Sequence, residues 1–164
     1  MIVVVMGVTG AGKTTVGRAL AKALHLPFQD ADDWHPPANR AKLQCGLPLN
    51  DADRWPWLAD LSQAIRQWEV GGGAVLACSA LKKAYRDALT RHAPGARFVY
   101  LEGTSDAITE RLRRRAAEGH PLVTGFEAIL AGQFADLEPP EGAILVPVAL
   151  SPDKAVEWIV EKLS

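Results

Sequence analysis

The stretch "GVTGAGKTT" sets three glycines, Gly7, Gly10 and Gly12, ahead of Lys13, Thr14 and Thr15. Glycine accepts backbone conformations that other residues resist, so such a loop can curl until successive N–H groups point inward as an anion nest. A helix beginning where the loop ends adds the positive end of its dipole. The spacing fits GxxxxGK[ST], with Val8, Thr9 and Ala11 filling the loop. In that pattern Lys13 reaches the β- and γ-phosphates of ATP, and the Thr14 hydroxyl ligates Mg2+. Glycines after a strand also make plain tight turns. The apolar run before this loop and the helical pattern after it favour the nucleotide.

A phosphate donor needs an acceptor. "LPFQDADDWHPPAN" carries Asp30, Asp32 and Asp33 and then His35. Such a cluster at the carboxyl end of a strand lies where open α/β sheets bind ligands. Asp32 is the candidate that hydrogen-bonds a substrate hydroxyl and takes its proton. Asp30 and Asp33 also suit helix capping, and His35 suits either substrate contact or the same turn. In "GLPLNDADRWPWLADL", Arg54 can clamp an anionic acceptor or pair with Asp51 or Asp53. Trp55, Trp57 and Trp68 fall in a helical pattern without basic neighbours, which favours packing over base stacking. In "CSALKKAYRD", Ser79 sits at a sheet edge near Thr14. Lys82, Lys83 and Arg86 then open a helix whose dipole disfavours cations; a nearby anion explains them, and long basic side chains on an exposed helix are the plain alternative.

"ITERLRRRAAEGHPLVTGFEAIL" adds four arginines before Gly119, His120 and Pro121. Beside a phosphate loop they read as a lid over residues 113–126, with Arg111 and Arg115 on one helical face by their i, i+4 spacing. Arginines closing over phosphates neutralise transition-state charge and exclude water. A solvated helix end, where basic residues suit the dipole, is the plain alternative.

The elements that must position these groups alternate. "IVVVM" is a β-branched run without polar alternation, as in a strand buried on both faces of a parallel sheet. "LPFQD", "AVLACSA", "ARFVYLEG" and "AILVPVAL" are four more strand signals. Between them the pattern predicts helices over 14–24, 53–69, 84–92, 105–117, 127–137 and 152–163. Strands separated by helices need right-handed crossovers. The expected fold is α/β, three-layered, with about five parallel strands and a small lid. Adenine is expected near "ALSPDK", by analogy with such folds.

The chain has 164 residues, 48% of them hydrophobic, and a formal charge of −1. That is one domain's worth of core. Mixed charge gives no nucleic-acid tail and no polybasic membrane patch, so a small soluble substrate is the expected partner. Cys45 and Cys78 have neither disulfide-framework nor zinc spacing, which points to a reducing cytoplasm. The short apolar N-terminus reads as neither signal peptide nor membrane span.

Together, "GVTGAGKTT", "DADDWHPPAN", "GLPLNDADRWPWL", "CSALKKAYRD", "FVYLEG" and "GQFADLEPP" resemble the gluconokinase family of small P-loop sugar-acid kinases. The resemblance covers nearly the whole chain in order, and "PLNDADRWPWL" with "CSALKKAYRD" is its most specific part. It implies a nucleoside-monophosphate-kinase-like fold, ATP and Mg2+, transfer to the 6-hydroxyl of D-gluconate, and a homodimer. It also implies ATP on the loop from Gly7 to Thr15, lid contacts from Arg111 and Arg115, and acceptor contacts from Asp32, His35, Arg54, Lys82 and Arg86. Lys13, Asp32 and Arg115 are the implied catalytic set.

Two departures from the family pattern bear on lid closure and acceptor choice. Ala31 stands where the family usually has glycine. After Arg115 the chain reads "AAEGHPLVTGFEAILAGQF", with His120 before a proline and Gly132 in place of a serine beside Gln133. A shikimate-kinase-like enzyme is the nearest rival, invited by Gly71 to Gly73. Those glycines precede a strand, though, and so fall at the opposite edge of the sheet. A nucleotide-binding module without catalysis would keep Lys13 and Thr14 but need no Asp32.

Overall fold

The computed structural model describes residues 1–164. Five strands, β1 (Ile2–Met6), β2 (Phe28–Asp30), β3 (Ala74–Ala77), β4 (Arg97–Glu102) and β5 (Ile144–Pro147), form one parallel sheet in the order β2-β3-β1-β4-β5. Helices α1 (Lys13–Leu24), α2 (Pro37–Gln44), α3 (Asp51–Val70), α4 (Lys83–Leu89), α5 (Ser105–Ala117), α6 (Phe126–Asp136) and α7 (Pro152–Leu163) connect them.

β1 is central, in register with β3 through Val4 and Leu76 and with β4 through Val4 and Phe98. Its lack of polar alternation follows from that position. Val3 and Val5 face a core built with Val16 and Leu20 of α1 and Ile159 of α7. Ile2, Val4 and Met6 face a second core with Leu58, Leu61 and Ile65 of α3 and Leu89 of α4. A strand covered on both faces has no side on which a polar residue is favourable.

The expected strands and helices are all present, within a few residues at their ends, and one further helix joins them. "HPPAN" reads in sequence as punctuation, but Pro36 caps α2 and Pro37 occupies its first position. Proline suits that place because the N–H it lacks would have no partner there. The α3 start is a full capping box: Asn50 accepts from the Asp53 N–H, and Asp53 accepts from the Asn50 N–H. Gly71 caps the end of α3, so the glycine triplet turns the chain into β3 at its amino end. No helix is long and apolar enough to cross a membrane.

Candidate active site

The phosphate loop links the carboxyl end of β1 to α1, at the middle of the sheet. Gly10 and Gly12 adopt φ of 79° and 97°, which only glycine takes without strain. A Cβ at position 10 would also lie 2.7 Å from Leu112 Cγ of α5, so that side chain would have to shift. Lys13 Nζ donates to the Val8 carbonyl at 3.0 Å. Burial holds the Lys13 pKa below the usual lysine range, an effect that the charge of Asp32 opposes.

A cavity of about 480 Å³ opens over the loop, and Gly10, Lys13, Thr14, Asp30, Asp32 and Ser79 all line it. Asp30 spends one oxygen as a cap, Oδ1 accepting from the Asp32 N–H at 3.0 Å as the 3-10 turn Ala31–Trp34 begins. The turn carries the Asp32 carboxylate out into the cavity with 86% of its side chain exposed. The enclosing cleft raises the Asp32 pKa and neighbouring Asp30 adds to the rise, while His35 and Lys13 oppose it. A hydroxyl and two carboxylates are hard oxygen donors that suit Mg2+, which keeps waters and phosphate oxygens as its other ligands. No group of three or more His, Cys, Asp or Glu side chains forms an all-protein metal cage.

His35 stacks on Trp57 with ring centroids 4.3 Å apart, and Trp57 Nε1 donates to the Ala31 carbonyl at 2.8 Å. The imidazole Nε2 lies 3.9 Å from Asp32 Oδ1, and Nδ1 lies 3.2 Å from Asn39 Nδ2. Asn39, nearly fully buried on α2, also donates to the Asp53 carbonyl at 3.0 Å. Its amide can only donate to His35, so the ring proton sits on Nε2. Asn39 is a site residue absent from the sequence-derived set, and the available signal was the proline pair opening its helix.

Arg54 and Lys82 meet beside the cavity around Asp51 and Tyr85. Tyr85 donates its hydroxyl to Asp51 Oδ1, with Lys82 Nζ 3.5 Å and Arg54 Nη1 3.7 Å from the same oxygen. Arg54 lines a small neighbouring pocket with Trp57, Ser79 and Gln133. Arg86 differs from its sequence expectation. It is buried, and its guanidinium donates to the carbonyls of Ala80 at 2.8 Å, Leu81 at 3.0 Å and Glu138 at 2.9 Å. With those donors committed to backbone, it braces the segment carrying Ser79 and lines neither cavity.

On the other side of the loop, Val146, Val148, Leu150 and Pro152 together with Thr15, Arg111, Arg115 and His120 line a mixed cavity of about 290 Å³. Gly12, Thr15 and Arg115 border both this cavity and the phosphate-loop cavity. Arg111 is a bridge, donating to Gly10 O at 3.3 Å and Val148 O at 3.0 Å. Residues 118–125, with His120 on the wall of this second cavity, connect α5 to α6.

A GxxxxGKT loop on the central strand of a parallel sheet, opening onto carboxylates at the strand ends, defines a P-loop small-molecule kinase that uses ATP. A shikimate kinase family model matches residues 9–133. The chain is 44% identical to a gluconokinase of Gluconobacter oxydans, covering 96% of this chain and 88% of that protein. It is 41% identical to a probable gluconokinase of Xenopus tropicalis, covering 99% of this chain and 91% of that protein. A crystal structure of a gluconokinase from Sinorhizobium meliloti 1021 superimposes with a TM-score of 0.86 at 40% identity, over 98% of this chain and 90% of that one. The chain belongs to the gluconokinase family, within the wider group of small P-loop kinases that the shikimate kinase model spans.

Proposed function

We infer that the protein transfers the γ-phosphoryl group of ATP to the 6-hydroxyl of D-gluconate, giving 6-phosphogluconate. One juxtaposition carries this assignment. The cavity over Gly10–Thr15 also holds Asp30 and Asp32, and it borders through Ser79 and Gln133 on a pocket with Arg54 and Tyr85. Membership of the gluconokinase family supports the choice of acid.

In this reading the cavity beside Val148 takes adenine, and the loop amides cradle the phosphates. Asp32 orients the acceptor hydroxyl and accepts its proton. Lys13 leaves the Val8 carbonyl and, with Arg115 from the lid over residues 113–126, stabilises charge on the transferring group. Arg54 and Lys82 hold the acid's carboxylate, displacing Asp51, and an arginine can do so through two parallel hydrogen bonds. Mg2+, held by the Thr14 hydroxyl and near Asp30 and Asp32, would neutralise phosphate charge when bound. A reducing cytoplasm suits the two free cysteines, Cys45 and Cys78. A homodimer follows from the family resemblance, and a light-scattering mass twice that of the chain checks it.

An ATP-consumption assay with Mg2+ across D-gluconate, other aldonates, shikimate, AMP and no acceptor tests the assignment. Turnover on D-gluconate is the expected result. Turnover on shikimate or AMP in its place would overturn it.

A further inference from the structure

Gln133 stands on α6, 124 residues from Thr9 in sequence, yet its Oε1 accepts the Thr9 N–H at 2.6 Å. That bond orients the carboxamide, because only the oxygen can accept. The oxygen faces the phosphate loop, and the Nε2 donors are left without a protein partner. Gln133 and Ser79 are also the two residues common to the phosphate-loop cavity and the pocket that contains Arg54 and Tyr85. Gln133 therefore stands where an acceptor hydroxyl must pass to reach the phosphates. Its helix directly follows residues 118–125, which connect it to the helix of Arg111 and Arg115.

We propose that Gln133 is a substrate-positioning residue that holds the phosphate loop and the acceptor in one frame. Through Oε1 it fixes the backbone of Thr9, and through Nε2 it donates to an oxygen of the sugar acid entering from the Arg54 pocket. The proposal deepens the gluconate-kinase assignment above and rests on it. An acceptor misplaced by about an ångström loses on the order of 10²-fold in rate, and water then competes for the phosphoryl group.

The test compares the full-length wild type with Gln133→Leu and Gln133→Glu, using D-gluconate and ATP with Mg2+. Leucine removes both hydrogen bonds. Glutamate keeps an oxygen for the Thr9 N–H and has an O–H donor only when protonated. For Gln133→Leu, kcat/KM for gluconate falls about 10- to 100-fold. Over the same comparison the KM for ATP changes less than kcat/KM for gluconate, and a larger share of ATP is hydrolysed without 6-phosphogluconate. For Gln133→Glu, the carboxylate is ionised at neutral pH and cannot donate to the sugar acid, so kcat/KM for gluconate falls about as far as in the leucine variant although the Thr9 N–H keeps its acceptor.

A wild type inert toward D-gluconate overturns the assignment itself, and the proposal with it. An active wild type with Gln133→Leu within twofold in kcat/KM and in hydrolysed share overturns the role of Gln133 alone. So does a Gln133→Glu variant that keeps wild-type kcat/KM at neutral pH, since an ionised carboxylate cannot donate to the acceptor.

Discussion

Asn39 donates its amide to Nδ1 of His35 and thereby turns the protonated Nε2 edge of the ring toward Asp32, 3.9 Å away. Burial keeps the His35 pKa below the usual histidine range, with Asp32 opposing the shift, so at neutral pH the ring is uncharged. Nε2 is too far from Asp32 for a direct hydrogen bond, so Asn39 fixes the orientation of the ring that borders the Asp32 carboxylate. Asn39→Ala releases the ring and leaves the Asp53 carbonyl without its donor. The expected outcome is a fall in kcat of about 10- to 100-fold with little change in the KM for ATP. Steady-state kinetics checks it, and an unchanged kcat separates His35 from the chemistry.

Asp32 sets the acid side of the pH profile. A protonated Asp32 cannot accept the hydroxyl proton, and its pKa lies above the ordinary aspartate value. Activity therefore falls, as pH drops, sooner than for an ordinary aspartate. Asp32→Asn lowers kcat by about 10² to 10⁴ and leaves ATP binding nearly intact. Stability moves the other way. A raised folded-state pKa means that the folded protein binds the proton more tightly, so the stabilisation is present at low pH and lost as pH rises through that pKa. Asp32→Asn should accordingly melt above wild type at pH 7, where the wild-type carboxylate is ionised. An acid limb that persists in the variant contradicts the assignment of Asp32 as the base, whereas the Tm comparison bears only on the folded-state pKa.

Gly10→Ala pushes a Cβ to 2.7 Å from Leu112 at a φ of 79°. Left-handed backbone at a non-glycine residue costs about 1–3 kcal/mol, so ATP affinity should weaken about tenfold or more as the loop shifts. Gly132→Ala is the contrast: it lies within α6 with nothing within 4 Å of the added Cβ. Alanine there adds about 0.5–1 kcal/mol of helix stability and leaves the KM for ATP unchanged. Nucleotide titration and thermal melting distinguish the pair.

Arg86→Lys tests the brace. A single ammonium cannot reach the three carbonyls of Ala80, Leu81 and Glu138 that the planar guanidinium spans. Leu81 O keeps the Glu138 N–H at 2.9 Å, but a buried acceptor left unpaired at Ala80 or Glu138 costs about 1–3 kcal/mol, so Tm should drop by roughly 5 °C or more. The KM for gluconate should stay close to wild type in the folded fraction. A large rise in that KM with an unchanged Tm would return Arg86 to the acceptor site.

What the sequence determines by itself is what is local along the chain. The loop from Gly7 to Thr15, the covered strand before it, the helix after it and the capping aspartates of "DADD" are contiguous, so spacing and backbone preference are enough to find them. The five strands and six of the seven helices follow from periodicity and punctuation for the same reason. Helix α2 escapes because a proline pair reads equally as a break or as a helix start, and its packing through Asn39 settles the matter.

Only the tertiary structure decides which polar groups spend their hydrogen bonds on the protein itself. Arg86 and Glu138 are 52 residues apart, and Gln133 and Thr9 are 124 apart. Nothing in either local pattern says that one side chain is committed to backbone while the other leaves a donor open to the cleft. The cause is geometric: parallel crossovers bring the carboxyl ends of distant strands to one edge, and a side chain's partners are fixed by which segments meet there.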